Sequence, residues 1–363
     1  MQWDVVVVGA SFAGVACAMA TRHAGLRVCV LERKRDPGIK LHTTGILVRE
    51  ATETGLLATI PDHLIHRIGN VRLYAPNLRS TRLSSPGYHF LTTDTPNLMR
   101  WLADELVACG VELRLMQSFT DARRVDGGWH VEGLGSTRWL VGADGAKSRV
   151  ALRAGLPHVR DFLYGIEYEF HDATLREPDA LHCFISKRFA PGYIGWAAQN
   201  PAGVQFGLAF RHRDDRRGVP DIDGLRLHAQ GTLGIDPERP PDAIRAGLIP
   251  CGGPVLPLSI PGLILTGDAA GIVSPLTAGG IHSAWKHGDA VGHAIADHLL
   301  RSGSSPDMLA ERIAPRYRFK RLLRNAFDRW QMDWPFDLLI GTPPLRWLAE
   351  EIYFHRSARG PAS

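Results

Sequence analysis

Apolar positions along this chain fall into short unbroken runs, alternating stretches and helical stripes. Residues 5–8 are consecutive valines, a β-branched run suited to a strand buried on both faces. The run stops at Gly9-Ala10-Ser11-Phe12-Ala13-Gly14, and a helical pattern continues to His23. Gly25 breaks it, and a second apolar run at 28–31 ends on Glu32. The order predicted is strand, tight glycine turn, helix, strand, with an acid at the tip. Residues 33–45 read as loop, with Pro37, Gly38 and Gly45, and 46–57 as a helix with Gly55 near its end. Residues 71–83 alternate as a strand or hairpin. Asp94-Thr95-Pro96 is a helix start, followed by a stripe of Leu98, Leu102, Leu106 and Val107. Strands are expected at 111–115, 129–134 and 137–141. Gly142-Ala143-Asp144-Gly145-Ala146-Lys147-Ser148 then turns into a helix, with Asp144 or Ser148 as its cap. Residues 164–170, 181–185 and 205–210 read as an antiparallel sheet, and 214–246 as polar and partly helical. A buried strand at 263–265 runs into Gly267-Asp268, a small-residue loop and a long helix from about 281 to 300.

The first turn has a specific chemistry. Gly9 lets the chain leave its strand in a conformation closed to residues with a Cβ, and Gly14 lets the helix lie close on the strand. Ser11 stands where a third glycine is usual and adds a hydroxyl. Free N–H groups and the dipole of the helix start suit a pyrophosphate, and Glu32 suits a ribose diol. Glu32 mildly disfavours a phosphate on that ribose, and the cations Arg33 and Lys34 beside it keep that point open. Gly279 and Gly280 make a second anion-friendly helix start, with Asp268 at a strand end before it.

A length of 363 residues suits about two domains. Apolar content of 45% and charged content of 22% are those of an ordinary globular enzyme. The net charge of +5 is modest and no basic run or binding motif points to nucleic acid. The five cysteines show no metal or redox spacing and read as buried free thiols of a reducing compartment. No segment reads as a signal peptide or as a spanning helix of about 18 apolar residues, so a cytoplasmic location is expected.

The turns at Gly9–Gly14 and 142–148 and the stretch from Gly267 to Ile281 resemble, in this order, the three fingerprints of FAD-dependent flavoproteins of the aromatic-hydroxylase fold type. The wording Gly267-Asp268-Ala269-Ala270-Gly271 through Pro275 to Gly279-Gly280-Ile281 is similar to the geranylgeranyl reductase family. So is the element Pro191, Gly192, Tyr193 and Trp196. The resemblance implies an α/β fold: a Rossmann-like FAD-binding domain (1–70, 92–160 and 255–302), a discontinuous antiparallel-sheet substrate domain (71–91 and 161–254) and a C-terminal helical region (303–363). It assigns the ADP half of FAD to Gly9, Ser11, Gly14 and Glu32, and adds Phe12, Ala13 and Arg33 as cofactor-binding candidates. Asp268 is assigned the ribityl or pyrophosphate region, Gly279, Gly280 and Ile281 the pyrimidine end of the flavin, and Gly267 and Pro275 are cofactor-binding candidates beside them. Thr44, Arg100 and Asp144 are further cofactor candidates. Relatives usually carry arginine where Thr95 stands, and often a functional cysteine in the loop that reads Leu41-His42-Thr43-Thr44-Gly45 here.

With FAD bound, redox work belongs to the flavin, and the protein supplies position and field. The catalytic candidates are His42, Thr44, Tyr193 and Trp196; core packing is the alternative for the two aromatics. His282, His287 and His293 read as surface or packing residues. The reaction expected is reduction of C=C bonds in a hydrophobic, isoprenoid-like substrate, with NAD(P)H or ferredoxin as electron donor. An FAD-dependent hydroxylase and a non-redox cyclase are the alternatives. The aromatic and basic tail at 312–359 reads as helices packed on the sheet domain, or as a surface that touches lipid from outside.

Overall fold

A computed structural model describes residues 1–53, 55–212 and 221–354. The chain forms two compact units, one of Met1–Leu41, Thr95–Phe162 and Ile249–Arg321, the other of His42–Asp94, Leu163–Leu248 and Leu322–Ser363.

The first unit is built on an eight-stranded sheet. Its valine run is the strand Trp3–Val8, parallel to Val28–Leu31 on one side and to Gly135–Gly142 on the other. Leu263–Leu265 and Glu112–Arg114 extend the parallel core at either flank. Val5, Val6 and Val7 are fully buried, as a central strand covered on both faces requires. The helix Phe12–His23 packs against the long helix Ile281–Arg301. Ala284, Gly288, Gly292 and Ala296 recur at helical spacing on that long helix and are all buried. A Cβ on Gly288 would collide with the Ala13 carbonyl, and one on Gly292 would lie 2.6 Å from the Cys17 oxygen. The two backbones thus meet at a distance only glycine permits.

The second unit holds a seven-stranded sheet in the order Ala243–Pro250, Phe162–His171, Gly203–Arg211, Ile194–Asn200, Ala180–Ile185, Asn70–Tyr74 and Ser80–Leu83. From Phe162–His171 through to Ser80–Leu83 the neighbours pair antiparallel, except Ala180–Ile185 with Asn70–Tyr74, which run parallel. The expected hairpin at 71–83 is present as the strands Asn70–Tyr74 and Ser80–Leu83. Phe170 and Phe206 are fully buried in its core, with Leu225 and Leu233 of the helix Ile222–Leu233.

One expected element is corrected. Residues 46–57 do not form a helix: Ile46–Val48 is a strand, and short 3₁₀ turns follow at Arg49–Ala51 and Leu56–Thr59. Ile46, Leu47 and Val48 pair antiparallel with Thr92, Leu91 and Phe90, a partner more than forty residues on that local periodicity does not see. The Thr93 hydroxyl donates to the Gly45 carbonyl at 3.0 Å and fixes the entry to this strand. The segment 214–220 and the tail residues 355–359, both read from sequence, lie outside the described residues. The tail within them forms the helices Pro306–Ile313, Arg318–Trp330, Trp334–Leu339 and Pro343–Phe354.

Candidate functional site

In the first unit, Gly9 leaves its strand at φ 106°, and a Cβ there would sit 2.8 Å from the Ala143 carbonyl carbon. A Cβ on Gly14 would overlap the Gly9 carbonyl oxygen. Both glycines are therefore needed to fold the turn tightly under its helix. Ser11 is the exposed N-cap of Phe12–His23 but makes no side-chain capping bond, so the first N–H groups are left to an outside acceptor. Phe12 and Ala13 are buried in the first turn. Glu32 is buried and spans the turn: Ala10 N–H donates to Oε2 at 3.1 Å and Lys34 N–H to Oε1 at 3.0 Å. Each oxygen keeps a lone pair for a further donor. Arg33 is exposed.

Arg100 grips the loop after Glu32. Its Nε and Nη2 reach the two oxygens of Asp36 at 3.0 and 2.7 Å, and Nη1 reaches Asn97 at 2.7 Å. This fork holds the Asp36 carboxyl below its ordinary range. Asp144 is bound into its own turn: Ser148 Oγ donates to Oδ1 at 2.6 Å, and the Arg149 and Val150 N–H groups donate to Oδ2 at 2.7 and 3.1 Å. Ser148 in turn caps Arg149–Arg153 through the Ala151 N–H. The capping role read from sequence at Asp144 and Ser148 is observed.

The strand Leu263–Leu265 delivers Thr266 and the turn Gly267–Ala270. Gly267 has φ 60°, and a Cβ on it would meet the Ala13 Cβ at 2.8 Å. Asp268 is half-buried, and its carboxylate has no hydrogen-bond partner among the described residues. Burial pushes its pKa up to about 6. Downstream, Ser274 N–H donates to the Gly279 carbonyl at 3.0 Å and Ala278 N–H to the Ser274 carbonyl at 2.9 Å, which curls the loop. Pro275 is buried in it, Gly279 is exposed, and Gly280 is the N-cap of Ile281–Arg301, again without a side-chain cap. Further along that helix His287 is buried between the Thr266 hydroxyl (2.9 Å) and the Ala310 carbonyl (3.1 Å), a packing role; His293 is exposed.

The second unit holds His42, Thr44, Tyr193 and Trp196. Two of them meet at a residue the sequence reading missed. Glu167 is 4% exposed; Trp196 Nε1 donates to its Oε2 at 2.8 Å, and the Thr44 hydroxyl also donates to it. Glu167, Gly207 and Trp196 share one rung across three strands. A Cβ on Gly207 would lie 2.5 Å from the Trp196 ring, so the bare glycine between them lets the indole cross to the carboxylate. Arg245 lies 3.9 Å from Glu167 Oε1, pairs with Glu169, and donates to the Thr43 carbonyl at 3.1 Å. Burial raises the Glu167 pKa; Arg245, Trp196 and Thr44 oppose that rise. Exposed His42 faces the Ala246 carbonyl at 2.9 Å, and a Cβ on Gly247 would stand 2.7 Å from Nδ1. Tyr193 is buried elsewhere, with the Arg324 guanidinium 5.9 Å from its ring centre. A glutamate alternating with apolar residues reads as a solvent-facing strand position. Only the partner Arg245, far along the chain, marks it otherwise.

Two uncapped helix starts beside bare glycines, with an unpartnered carboxylate in the same unit, make a cradle for a long dinucleotide, and the donor set fits FAD. The class is therefore a flavin-dependent oxidoreductase of two-unit α/β architecture. The FAD binding domain family matches residues 2–219, and the chain belongs to it. FAD is its cofactor. Over 330 residues the chain is 29% identical to digeranylgeranylglycerophospholipid reductase 2 of Methanopyrus kandleri, a match spanning 85% of this chain and 81% of that protein. It is 28% identical to geranylgeranyl diphosphate reductase of Rhodobacter capsulatus, over 85% of this chain and 78% of the relative. Among solved structures, a geranylgeranyl bacteriochlorophyll reductase-like protein of Thermoplasma acidophilum superposes with a TM-score of 0.82 at 16% identity, covering 98% of this chain and 97% of that one. The resemblance read from the glycine stretches is borne out. Among the described residues no cluster of His, Cys, Asp and Glu could hold a metal ion, and no helix is long and apolar enough to cross a membrane.

Proposed function

We propose that this protein reduces C=C bonds of a hydrophobic, isoprenoid-like substrate. The observation that carries this reading is the reach of the similarity to reductases of isoprenoid lipids, which spans 85% of the chain rather than the cofactor-binding part alone. In this reading the first unit is the cofactor domain and the second the substrate domain. Gly9, Ser11, Phe12, Ala13 and Gly14 would offer the helix start to the pyrophosphate, and Glu32 and Arg33 would hold the adenosine ribose region. Asp268, with Gly267 and Pro275 beside it, would accept from ribityl hydroxyls. Gly279, Gly280 and Ile281 would aim a positive helix end at the pyrimidine edge, where reduction places negative charge. Arg100 and Asp144 would act at one remove, through the loop and turn they brace. When bound, the flavin supplies a hydride to one carbon of the double bond.

The second carbon needs a proton. Thr44 carries a hydroxyl whose partner, Glu167, is shifted by burial toward its protonated form. His42 offers an exposed imidazole nearby in sequence, and Trp196 supplies apolar ring surface for a polyprenyl chain. Electrons are delivered by NAD(P)H or by a ferredoxin. The test is a single turnover without oxygen: enzyme reduced by dithionite, then mixed with geranylgeranyl diphosphate or a digeranylgeranyl glycerolipid. The expected product carries two added hydrogens per double bond, and the flavin band returns as it forms. No product under these conditions, with an oxygenated product once air is admitted, would replace this reading by hydroxylation.

A further inference from the structure

The helix Arg318–Trp330 turns much of its apolar side outward. Positions 319, 322, 323, 326, 327 and 330 fall on one side at three- and four-residue spacing and are all apolar. An ordinary surface helix would bury that side. Here the one residue of the helix classed as buried is Arg324, which forks onto Asp328 at 3.2 and 2.7 Å, and Arg211 reaches the same carboxylate at 3.7 Å. The Arg324–Asp328 strip thus faces inward, and Leu323, Ala326 and Phe327 along the apolar side are only half-buried. Phe319, Leu322 and Trp330 point outward, 65%, 66% and 66% exposed. The next two helices continue the pattern, with Trp334 60%, Leu338 64% and Trp347 51% exposed.

Charge in this segment is sorted in the same direction. Asp328 is tied to Arg324, Asp333 accepts from the Lys187 N–H, Asp337 from the Asn77 N–H, and Glu350 from Arg346. None of these acids is exposed. Arg318 and Arg329, by contrast, are exposed along one edge of the apolar side, and half-buried Lys320 lies along the other. We propose that residues 319–348 dock the protein on an anionic lipid surface, with the aromatic and leucine side chains in the acyl boundary and the arginines among the headgroups. An apolar strip rimmed by cations, with indoles along it, is the composition of an interfacial helix. A second copy of this chain suits the patch poorly. An isologous contact would set its cationic rim against itself with no exposed carboxylate of the segment to meet it.

This docking is independent of the substrate and is tested without one. The full-length, flavin-loaded protein is floated with vesicles of phosphatidylcholine alone and of phosphatidylcholine with phosphatidylglycerol. Binding is expected to the anionic vesicles and to fall steeply with added salt. The double variant Trp330→Ser/Trp334→Ser is expected to lose roughly tenfold or more in partitioning. Arg329→Gln, which removes one positive charge, should lose about fivefold, on anionic vesicles only. Bound flavin, equal in wild type and variants, certifies the fold. No binding to either vesicle by the flavin-loaded wild type overturns the proposal. So does light scattering that shows a dimer converted to monomer by the same double variant, since the patch would then be a subunit interface.

Discussion

Asp268 stands at a strand end with a carboxylate that nothing among the described residues satisfies, and burial moves its pKa from 3.8 to about 6. Between those two values the folded chain keeps a proton that the unfolded chain has released. Stability therefore falls as pH rises through that window, and the penalty is complete above about 6. A group partly open to solvent carries less than the full shift, so roughly 1–2 kcal/mol is the scale to expect. Flavin-free Asp268→Asn should accordingly melt above flavin-free wild type at neutral pH, with the gap closing as the pH drops below about 4, as calorimetry can follow. The same variant should hold FAD less well, since strain kept at a site is recovered when its ligand arrives. Coincident melting curves at every pH would mean that the carboxylate is well solvated and carries no such strain. Glu167 is the complementary case at this scale. Its neighbours Thr44, Trp196 and Arg245 come from distant parts of the chain, and no local pattern announces them.

At the scale of elements, the contact between Phe12–His23 and Ile281–Arg301 sets where the two uncapped helix starts lie. It depends on Gly288 and Gly292 lying against the carbonyls of Ala13 and Cys17. Gly288→Ala should force the helices apart, cost about 1–3 kcal/mol and lower the flavin content of the purified protein. Gly231 is the matched control: it lies in the helix Ile222–Leu233, and a Cβ there would meet nothing within 4 Å. Gly231→Ala should instead stabilise by about 0.5–1 kcal/mol, with full flavin. If denaturant unfolding showed both changes to be neutral, close backbone packing would not be what joins these helices. The same contrast explains what the sequence made legible. Val5 to Glu32 was readable almost to the residue, because a glycine turn between a valine run and a helical stripe is a local signal. The long helix after Gly280 was readable for the same reason. Local patterning does not predict the strands Ile194–Asn200 and Ala243–Pro250, and it reads Ile46–Val48 as helix. Each of these is defined by a partner strand rather than by its own period. Glu167 followed them out of view, since the rung it shares with Gly207 and Trp196 exists only once those strands are in register.

Across the whole molecule, the cysteines bear on how the reaction can run. None of the five forms a disulfide; Cys17, Cys29, Cys183 and Cys251 are buried and Cys109 is half-buried. Burial pushes the thiols of Cys17, Cys29 and Cys183 up to about 12 and raises that of Cys109 as well. At pH 8 a thiol with such a pKa is ionised to only about one part in ten thousand, and the thiolate is the reactive form. The loop after Glu32, where relatives often carry a functional cysteine, reads Leu41-His42-Thr43-Thr44-Gly45 and has no thiol to offer. Chemistry in this protein should therefore run without a nucleophilic or redox sulfur. Native enzyme treated with iodoacetamide near pH 8 should label slowly, at Cys109 first, and keep its turnover and its flavin. Denaturant should then expose the remaining thiols to quantitative titration. Cys109 is the informative position, because its Sγ donates to the Leu106 carbonyl at 3.2 Å at the end of the helix Thr95–Ala108. Modification there should loosen a helix end and leave the redox step intact. Fast labelling of any one cysteine together with loss of single-turnover reduction would show a working thiol, and the proton route through Thr44 and Glu167 would give way to one through sulfur.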